Sequence, residues 1–492
     1  MDYSILKSGT DVRGVASDKG GLTVNLTESA VYDITAAAVV WFCEKFGKKA
    51  GDLKVTVGHD SRITAQSIAL NVIKALTDSG VNTYFCSLCS TPAMFMTTID
   101  LNADMAVQIT ASHHPFDRNG LKFFTKLGGL DTGDLSEILE LASEGKRYDA
   151  ENKGLVFPTD YMPAYAKRLR DMICNAVGKS EAEKPLNGYH IIVDAGNGAG
   201  GFYANDVLAP LGADISGSQF LEPDGMFPNH IPNPENKTAM ESICAAVKKS
   251  KADLGIIFDT DVDRAGCVDS SGEEINRNRL VALASFIALQ DNAGGTVVTD
   301  SVTSDGLKEY INTTLGGVHY RYKRGYKNVI NKAVELCNNG INCPLAIETS
   351  GHAALRENYF LDDGAYLATK IVIELARGRK FEEILKPLKM PAEEKEIRLN
   401  IKAENFHDYG MRVIAELESF AKENKNCVIA DDNREGMRIT TPSGWMLLRL
   451  SVHDPVMPIN FESEKSGGVA ETVEFFREFY EKFDELDLSS YK

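Results

Sequence analysis

The segment Asp259-Thr260-Asp261-Val262-Asp263-Arg264 places three carboxylates at alternate positions, directly after the apolar run Leu254 to Phe258. Alternate residues of an extended segment share one side, so this spacing predicts that the three converge. Three like charges at close range are costly unless a cation sits among them. An all-oxygen set favours a hard ion, and magnesium where a phosphate is also met. The plainer reading is a solvated acidic turn; the apolar lead-in and the adjacent Arg264 favour a metal site.

An apolar strand ending in Asp-x-Asp is also similar to the nucleophile motif of haloacid-dehalogenase-type phosphatases, whose first aspartate attacks phosphorus. Asp259 would then be a nucleophile and not a ligand. The third aspartate, Asp263, and the mid-chain position count against that reading.

A second constellation is Thr110-Ala111-Ser112-His113-His114-Pro115, leading to Asn119-Gly120-Leu121-Lys122. A hydroxyl in a small-residue loop, two imidazoles beside it and an amine ten positions on can assemble a nucleophile with proton-transfer partners. A capped turn is the alternative. Further on, Leu345-Ala346-Ile347 precedes Glu348-Thr349-Ser350-Gly351-His352 and then Asp362-Asp363-Gly364. A carboxylate at a strand end can accept from two neighbouring sugar hydroxyls, with Ser350 as a further partner. Lys323-Arg324-Gly325-Tyr326-Lys327 supplies cations after another strand, and Arg449-Leu450-Ser451-Val452-His453-Asp454-Pro455 sets a guanidinium and a hydroxyl beside a turn suited to phosphate. Each alone is equally a structural loop or a surface ion pair.

Two motifs carry less. Gly196, Gly198 and Gly201 satisfy G-x-G-x-x-G, but Asp214, only thirteen positions beyond Gly201, falls short of the distance a dinucleotide ribose requires. A tight strand-to-helix turn is the favoured reading. Cys86-Ser87-Leu88-Cys89 has no second pair at zinc-like spacing, so buried thiols are favoured over a redox or metal pair.

The elements that must position these loops follow from periodicity. Leu53 to Gly58, Val81 to Phe85, Met105 to Ile109, Tyr189 to Val193 and Thr296 to Thr299 read as strands, with helical spacing between them, as in Ile68, Val72, Ile73 and Leu76. Such alternation implies parallel βαβ units, whose ligand loops lie at the carboxyl ends of strands. The polar stretch 179–184 reads as a linker. From residue 390 the texture changes to short strands with turns, followed by a helical segment from Val469 to Leu486. Four domains are expected: α/β over 1–178, 185–272 and 273–388, and a smaller α+β domain over 389–492.

Composition sets the outer bounds. The 492 residues suggest about three domains by length alone, and 43% hydrophobic with 25% charged residues excludes wholesale disorder. A net charge of −17 disfavours nucleic acid and anionic membranes as partners. Nine scattered cysteines and no apolar segment of bilayer length read as a cytoplasmic chain with reduced thiols.

Taken in order, these loops resemble the α-D-phosphohexomutases, the family of phosphomannomutases, phosphoglucomutases and phosphoglucosamine mutases. Gly9-Thr10-Asp11-Val12-Arg13-Gly14 and Asp224-Gly225-Met226-Phe227-Pro228-Asn229-His230 extend the match over nearly the whole chain. The resemblance implies three tandem α/β domains and a C-terminal α+β (TBP-like) domain, arranged as a heart with a central cleft. It implies that Ser112 carries the phosphoryl group and completes a site for one Mg2+ with Asp259, Asp261 and Asp263. Arg13, Lys122 and His113 would lie beside the phosphoserine, and Arg264 near the metal. Substrate would be held by Glu348, Ser350, His352, Lys323, Arg324, Tyr326, Arg449 and Ser451. Hexose 1-phosphate and hexose 6-phosphate would interconvert through a 1,6-bisphosphate, with glucose 1,6-bisphosphate as activator, in a monomer or homodimer.

The chain departs from the family's pattern where phosphate and sugar are read. Val452, His453 and Asp454 replace three core positions of the usual phosphate loop, and Pro458 stands where an arginine is expected. His114 replaces the commoner asparagine, and Thr349 fills the variable position of Glu-x-Ser-Gly-His. A phosphomannomutase/phosphoglucomutase is the reading adopted. Phosphoglucosamine mutase, or a catalytically weak regulatory homologue, are the alternatives.

Overall fold

The computed structural model describes residues 2–451 and 454–491. The chain falls into two compact units, residues 1–280 with 350–381, and residues 281–349 with 382–492.

The first unit opens with a mixed sheet. Lys54–His59 runs parallel to both Asn82–Leu88 and Met105–Ile109. Helices Glu28–Phe46, Ala65–Asp78 and Thr132–Ser143 bury Val31, Ile34, Ala38, Ile68, Val72, Leu135 and Ile138 in one core with Val55, Val57, Val107 and Ile109. Thr27 and Asp131 supply the side-chain caps that start the first and last of these helices.

The structure adds a strand that the sequence reading did not mark. After the serine loop, Arg118–Thr125 runs antiparallel to Met105–Ile109. Residues 110–117 are too few for a crossover, which needs a dozen or more residues. The reversal sets Lys122 opposite Gln108, on the strand that leads into Ser112.

A second sheet in the same unit pairs Ile191–Asp194 parallel with Leu254–Phe258, which then turns back antiparallel into Ala265–Asp269. Leu254–Phe258 is buried throughout, as its unbroken apolar sequence requires. The expected linker is ordered: Ser180 caps a short turn at Glu181–Glu183, and Arg170 pairs with Glu181 at 2.7 Å. In the glycine loop, a Cβ on Gly198 would come within 2.5 Å of the Thr260 carbonyl oxygen. Its glycine thus permits the close approach of two backbones.

In the second unit, Thr296–Thr299 is flanked by parallel partners Val318–Arg321 and Leu345–Ile347. The C-terminal part is an antiparallel sheet of Glu393–Ile401, Met437–Thr441, Gly444–Leu448 and Val456–Ser463. Ile397, Leu399 and Ile401 join a core with helices Phe406–Glu423 and Gly468–Tyr480, whereas Glu396, Arg398 and Asn400 are exposed, the period-two pattern of a sheet covered on one face. Among the described residues, no helix is long and apolar enough to cross a membrane.

Gly198→Ala tests the close approach. The added methyl must displace the Thr260 backbone, and overpacking of this kind costs about 1–3 kcal/mol. The expected result is a lower denaturant midpoint with an unchanged m-value; an unchanged midpoint would show that the loop yields freely.

Candidate active site

Asp259, Asp261 and Asp263 leave the buried strand Leu254–Phe258 and are themselves 0%, 0% and 1% exposed. They converge, but not as alternate residues of an extended segment. Residues 259–263 form a turn, and Val262 lies between the second and third aspartates at φ +68°. A β-branched residue in the left-handed region is strained, and here the reversal it provides brings one oxygen of each carboxylate within 4.8 Å of the others.

The serine loop meets this turn. Ser112 Oγ donates to Asp259 Oδ2 at 2.9 Å and lies 3.3 Å from His113 Nδ1. Ser112 is itself at φ +47°, held in part by a hydrogen bond from its N–H to Thr110 Oγ1 at 2.8 Å. A non-glycine residue in that region costs about 1–2 kcal/mol, so the loop around it must hold it there. Lys122 Nζ lies 2.5 Å from Asp263 Oδ2 and 3.4 Å from Asp261 Oδ2. Arg264 donates through its backbone N–H to Asp259 Oδ1 at 3.2 Å, and its Nη2 donates to His113 Nδ1 at 2.9 Å. Arg13 donates to the Thr110 carbonyl and, at 2.8 Å, to Asp11.

The electrostatics follow from burial. Desolvation, with Asp263 and Asp261 close by, pushes the Asp259 carboxyl well above its ordinary range. Burial works the same way on Asp263, but Lys122, His352 and Arg264 outweigh it and hold that carboxyl low. Burial, then Arg264 and the neighbouring imidazoles, pull His113 down to about 2. His113 is therefore neutral at physiological pH, consistent with Nδ1 accepting from Arg264.

Two contacts were invisible in the sequence. Thr91, at the start of helix Thr91–Asp100, donates its N–H to the Asp261 carbonyl at 2.8 Å and its hydroxyl to the Asp261 carboxylate. His352 turns Nδ1 onto Asp362 and lies 3.9 Å from Asp263. Burial opposes its charge, but Asp362 and Asp263 hold the imidazole above its ordinary range. Nothing in the local sequence marks Thr91, because its partner is 170 positions away; His352 stands out as the end of Glu348-Thr349-Ser350-Gly351-His352, but its pairing with Asp362 does not.

The donor set fits a hard divalent cation. Asp261 Oδ1 and Asp263 Oδ1 are buried without a hydrogen-bond partner among the described residues. Both lie in a cluster where every candidate ligand atom is oxygen. Asp259, Asp261 and Asp263 are the residues that would hold such an ion.

The second unit carries the remaining expected residues. Glu348, 3% exposed, accepts from the Gly325 N–H at 2.5 Å. Thr349 turns inward, its hydroxyl donating to Asp300 Oδ2 at 2.7 Å. The Arg324 N–H donates to Glu435 at 3.1 Å, and Lys323 and Tyr326 flank it in the turn that opens helix Tyr326–Asn338. Arg449 donates to Asn460 at 3.1 Å while its buried Nε has no partner among the described residues. Ser451 Oγ accepts from the Asp454 N–H at 3.2 Å, and the Pro458 carbonyl accepts from the Arg449 N–H. Val452 and His453 lie outside the described residues. Ser350 is buried in the first unit, directly after Glu348-Thr349 in the chain.

Comparison with known proteins bears on all of this. Residues 5–149, 163–272 and 276–390 match the families described as phosphoglucomutase/phosphomannomutase, alpha/beta/alpha domains I, II and III. A phosphomannomutase/phosphoglucomutase of Pseudomonas syringae is 30% identical over 92% of this chain and 90% of its own. A phosphoglucomutase of Neisseria gonorrhoeae is 29% identical over 93% of both chains. The crystal structure of a phosphoglucomutase/phosphomannomutase family protein from Burkholderia thailandensis has the same fold, with a TM-score of 0.80 at 24% identity, over 98% of each chain.

The burial of Asp259 sets a pH dependence. Its raised carboxyl binds a proton more tightly in the folded chain than in the unfolded one, so its contribution to stability is lost as pH rises above the ordinary carboxylate range. A cation must displace that proton. Added Mg2+ should therefore raise the melting temperature more at about pH 8 than at about pH 5, with a stabilisation approaching about 2.7 kcal/mol at a hundredfold excess over Kd. Asp261→Asn should abolish the gain. Equal stabilisation of the variant would remove the triad as the binding site.

Proposed function

The chain belongs to the phosphoglucomutase/phosphomannomutase family; on that footing we propose that it interconverts hexose 1-phosphate and hexose 6-phosphate, of mannose, glucose or both. The observation that carries the reading is the Ser112 hydroxyl, 2.9 Å from Asp259 at the edge of a buried carboxylate cluster and close to the cations Lys122 and Arg264. A nucleophile beside donors that offset charge on a transferring phosphoryl group is what this chemistry needs.

Phosphorylated Ser112 gives its group to the free oxygen of a hexose monophosphate, forming a 1,6-bisphosphate. The bond from phosphorus to Ser112 Oγ breaks as the bond to the sugar oxygen forms. The sugar hydroxyl loses its proton and the serine oxygen regains one, with Lys122 and Arg13 assisting proton transfer and charge stabilisation. Neutral His113 keeps Arg264 beside the reacting oxygen. The bisphosphate then turns end for end and returns its other phosphate to Ser112.

Magnesium, held by Asp259, Asp261, Asp263 and an ester oxygen on Ser112, would supply neutralisation of phosphoryl charge. Glu348 and Ser350 would take sugar hydroxyls, and His352 would also contact substrate. Arg449, Ser451, Lys323, Arg324 and Tyr326 would hold the distal phosphate. Arg449 suits that role because a buried guanidinium with a free N–H favours an anion. Glucose 1,6-bisphosphate is the proposed activator. Nine free cysteines and the acidic net charge support a cytosolic setting.

Two variants discriminate the mutase from an aspartyl phosphatase. In a mutase Ser112→Ala loses nearly all turnover and the phosphate that mass spectrometry finds on residue 112 of the wild type, and Asp259→Asn fails as well. In a phosphatase only Asp259→Asn fails. Side-by-side turnover of mannose, glucose and glucosamine 1-phosphates with the activator present assigns the substrate; a ranking led by the amino sugar would replace the present choice.

A further inference from the structure

Arg62 takes no part in the chemistry above, yet its side chain has the most completely used set of donors around the serine loop. It is 2% exposed. Its Nη1 donates to the carbonyls of Pro115 and Arg118, at 2.6 and 2.9 Å, and its Nη2 to those of Ser112 and His114, the latter at 2.6 Å. Nε faces Asp60 Oδ2 at 3.3 Å, and Asp60 Oδ1 accepts the backbone N–H of Arg62 itself at 2.9 Å. Guanidinium has five N–H donors in one rigid plane. Four are spent on carbonyls of the loop that carries Ser112; the fifth, on Nε, makes no hydrogen bond, and the Asp60 carboxylate 3.3 Å away supplies only charge.

A serine loop tied in this way has little freedom. Ser112 sits in the left-handed region, a conformation the chain does not adopt unaided, and its carbonyl is one of the four clamped. A lysine has three donors on a rotating head and no plane, so it cannot reproduce the pattern. The guanidinium is also covered. The Phe227 ring lies over it at 5.3 Å, and Gly225 bridges to Arg62, where a Cβ would come within 2.4 Å of the Ile63 nitrogen. Asp224-Gly225-Met226-Phe227-Pro228-Asn229-His230, which the proposed reaction leaves without a task, thus packs on the clamp.

We propose that Arg62 is the positioning residue of phosphoryl transfer: anchored by Asp60 and capped by Phe227, it holds four carbonyls of the 112–118 loop so that Ser112 Oγ stays aimed at the carboxylate cluster. The proposal rests on Ser112 as the phosphoryl carrier. Arg62 touches no substrate; it acts through the loop.

The experiment follows Ser112 phosphorylation by glucose 1,6-bisphosphate in the full-length protein with Mg2+, together with steady-state kcat and KM. Wild type that takes up no phosphate at Ser112 removes the mutase reading itself, and this proposal with it. With wild type phosphorylated, Arg62→Lys should lower the phosphorylation rate and kcat by about a hundredfold, the cost of misplacing a reacting group by about 1 Å. KM should stay within about threefold, because no substrate contact is lost. Guanidinium ion added to Arg62→Ala should restore part of kcat. A variant within about threefold of wild-type kcat, or a loss expressed only in KM, overturns the proposal. Should the arginine variants not fold, Phe227→Leu decides, since it keeps the guanidinium and opens its face: reduced kcat at unchanged KM and melting temperature supports the clamp, and unchanged kcat refutes it.

Discussion

Three carboxylates buried at the end of one strand are the constraint to which the first unit is fitted. Two unit charges about 4 Å apart repel by about 4 kcal/mol at an effective dielectric of about 20; Asp259, Asp261 and Asp263 would form three such pairs if all were ionised, and this repulsion together with burial makes Asp259 hold its proton. Lys122 and Arg264 offset part of that charge, and Thr91 takes one lone pair of Asp261. The oxygens left without donors, on Asp261 and Asp263, mark where the compensation stops. A fold does not retain such a deficit for stability, since buried charges lacking partners cost several kcal/mol each. Such a triad could bind a metal ion, whose charge would complete the compensation.

Backbone strain is present at the same place. Val262 and Ser112 both sit at positive φ, one turning the aspartates together and the other presenting the hydroxyl to them. Each conformation is maintained from outside its own loop. Gly364 donates its N–H to the Val262 carbonyl, and Arg62 grips the Ser112 loop by its carbonyls. The surrounding packing therefore does for the site what a metal-ligand bond would do for a looser one: it sets positions before anything binds.

The second unit is built differently. Its candidate phosphate and sugar residues stand at turns whose own backbone groups they satisfy: Glu348 accepts from Gly325, Ser451 from Asp454, and Thr349 is drawn to Asp300. These contacts are exchangeable for contacts with a sugar or a phosphate at little net cost, because one hydrogen bond replaces another. Under the proposed reaction, the same groups would meet either end of a bisphosphate. Pro458, paired with Arg449 through its carbonyl, brings neither charge nor an N–H donor, so Arg449 is the cation at that position, with Arg324 near it.

The chain's pattern alone determined the strand and helix alternation, the acidic cluster, the serine loop and the order in which they occur, because burial periodicity and loop chemistry are local properties. It also pointed correctly to convergence of Asp259, Asp261 and Asp263, though for a mistaken reason: extended geometry was assumed, and a left-handed Val262 provides the turn. Tertiary structure alone decided that Arg118–Thr125 returns antiparallel with Lys122 facing the aspartates, that Thr91 supports Asp261, that His352 leans on Asp362, and that Arg62 closes over the Ser112 loop. Those pairings join residues from 10 to 170 positions apart. Nothing in a residue's neighbours along the chain states which distant carbonyl or carboxylate will complete it; only the packing of sheets and loops brings donor and acceptor within reach.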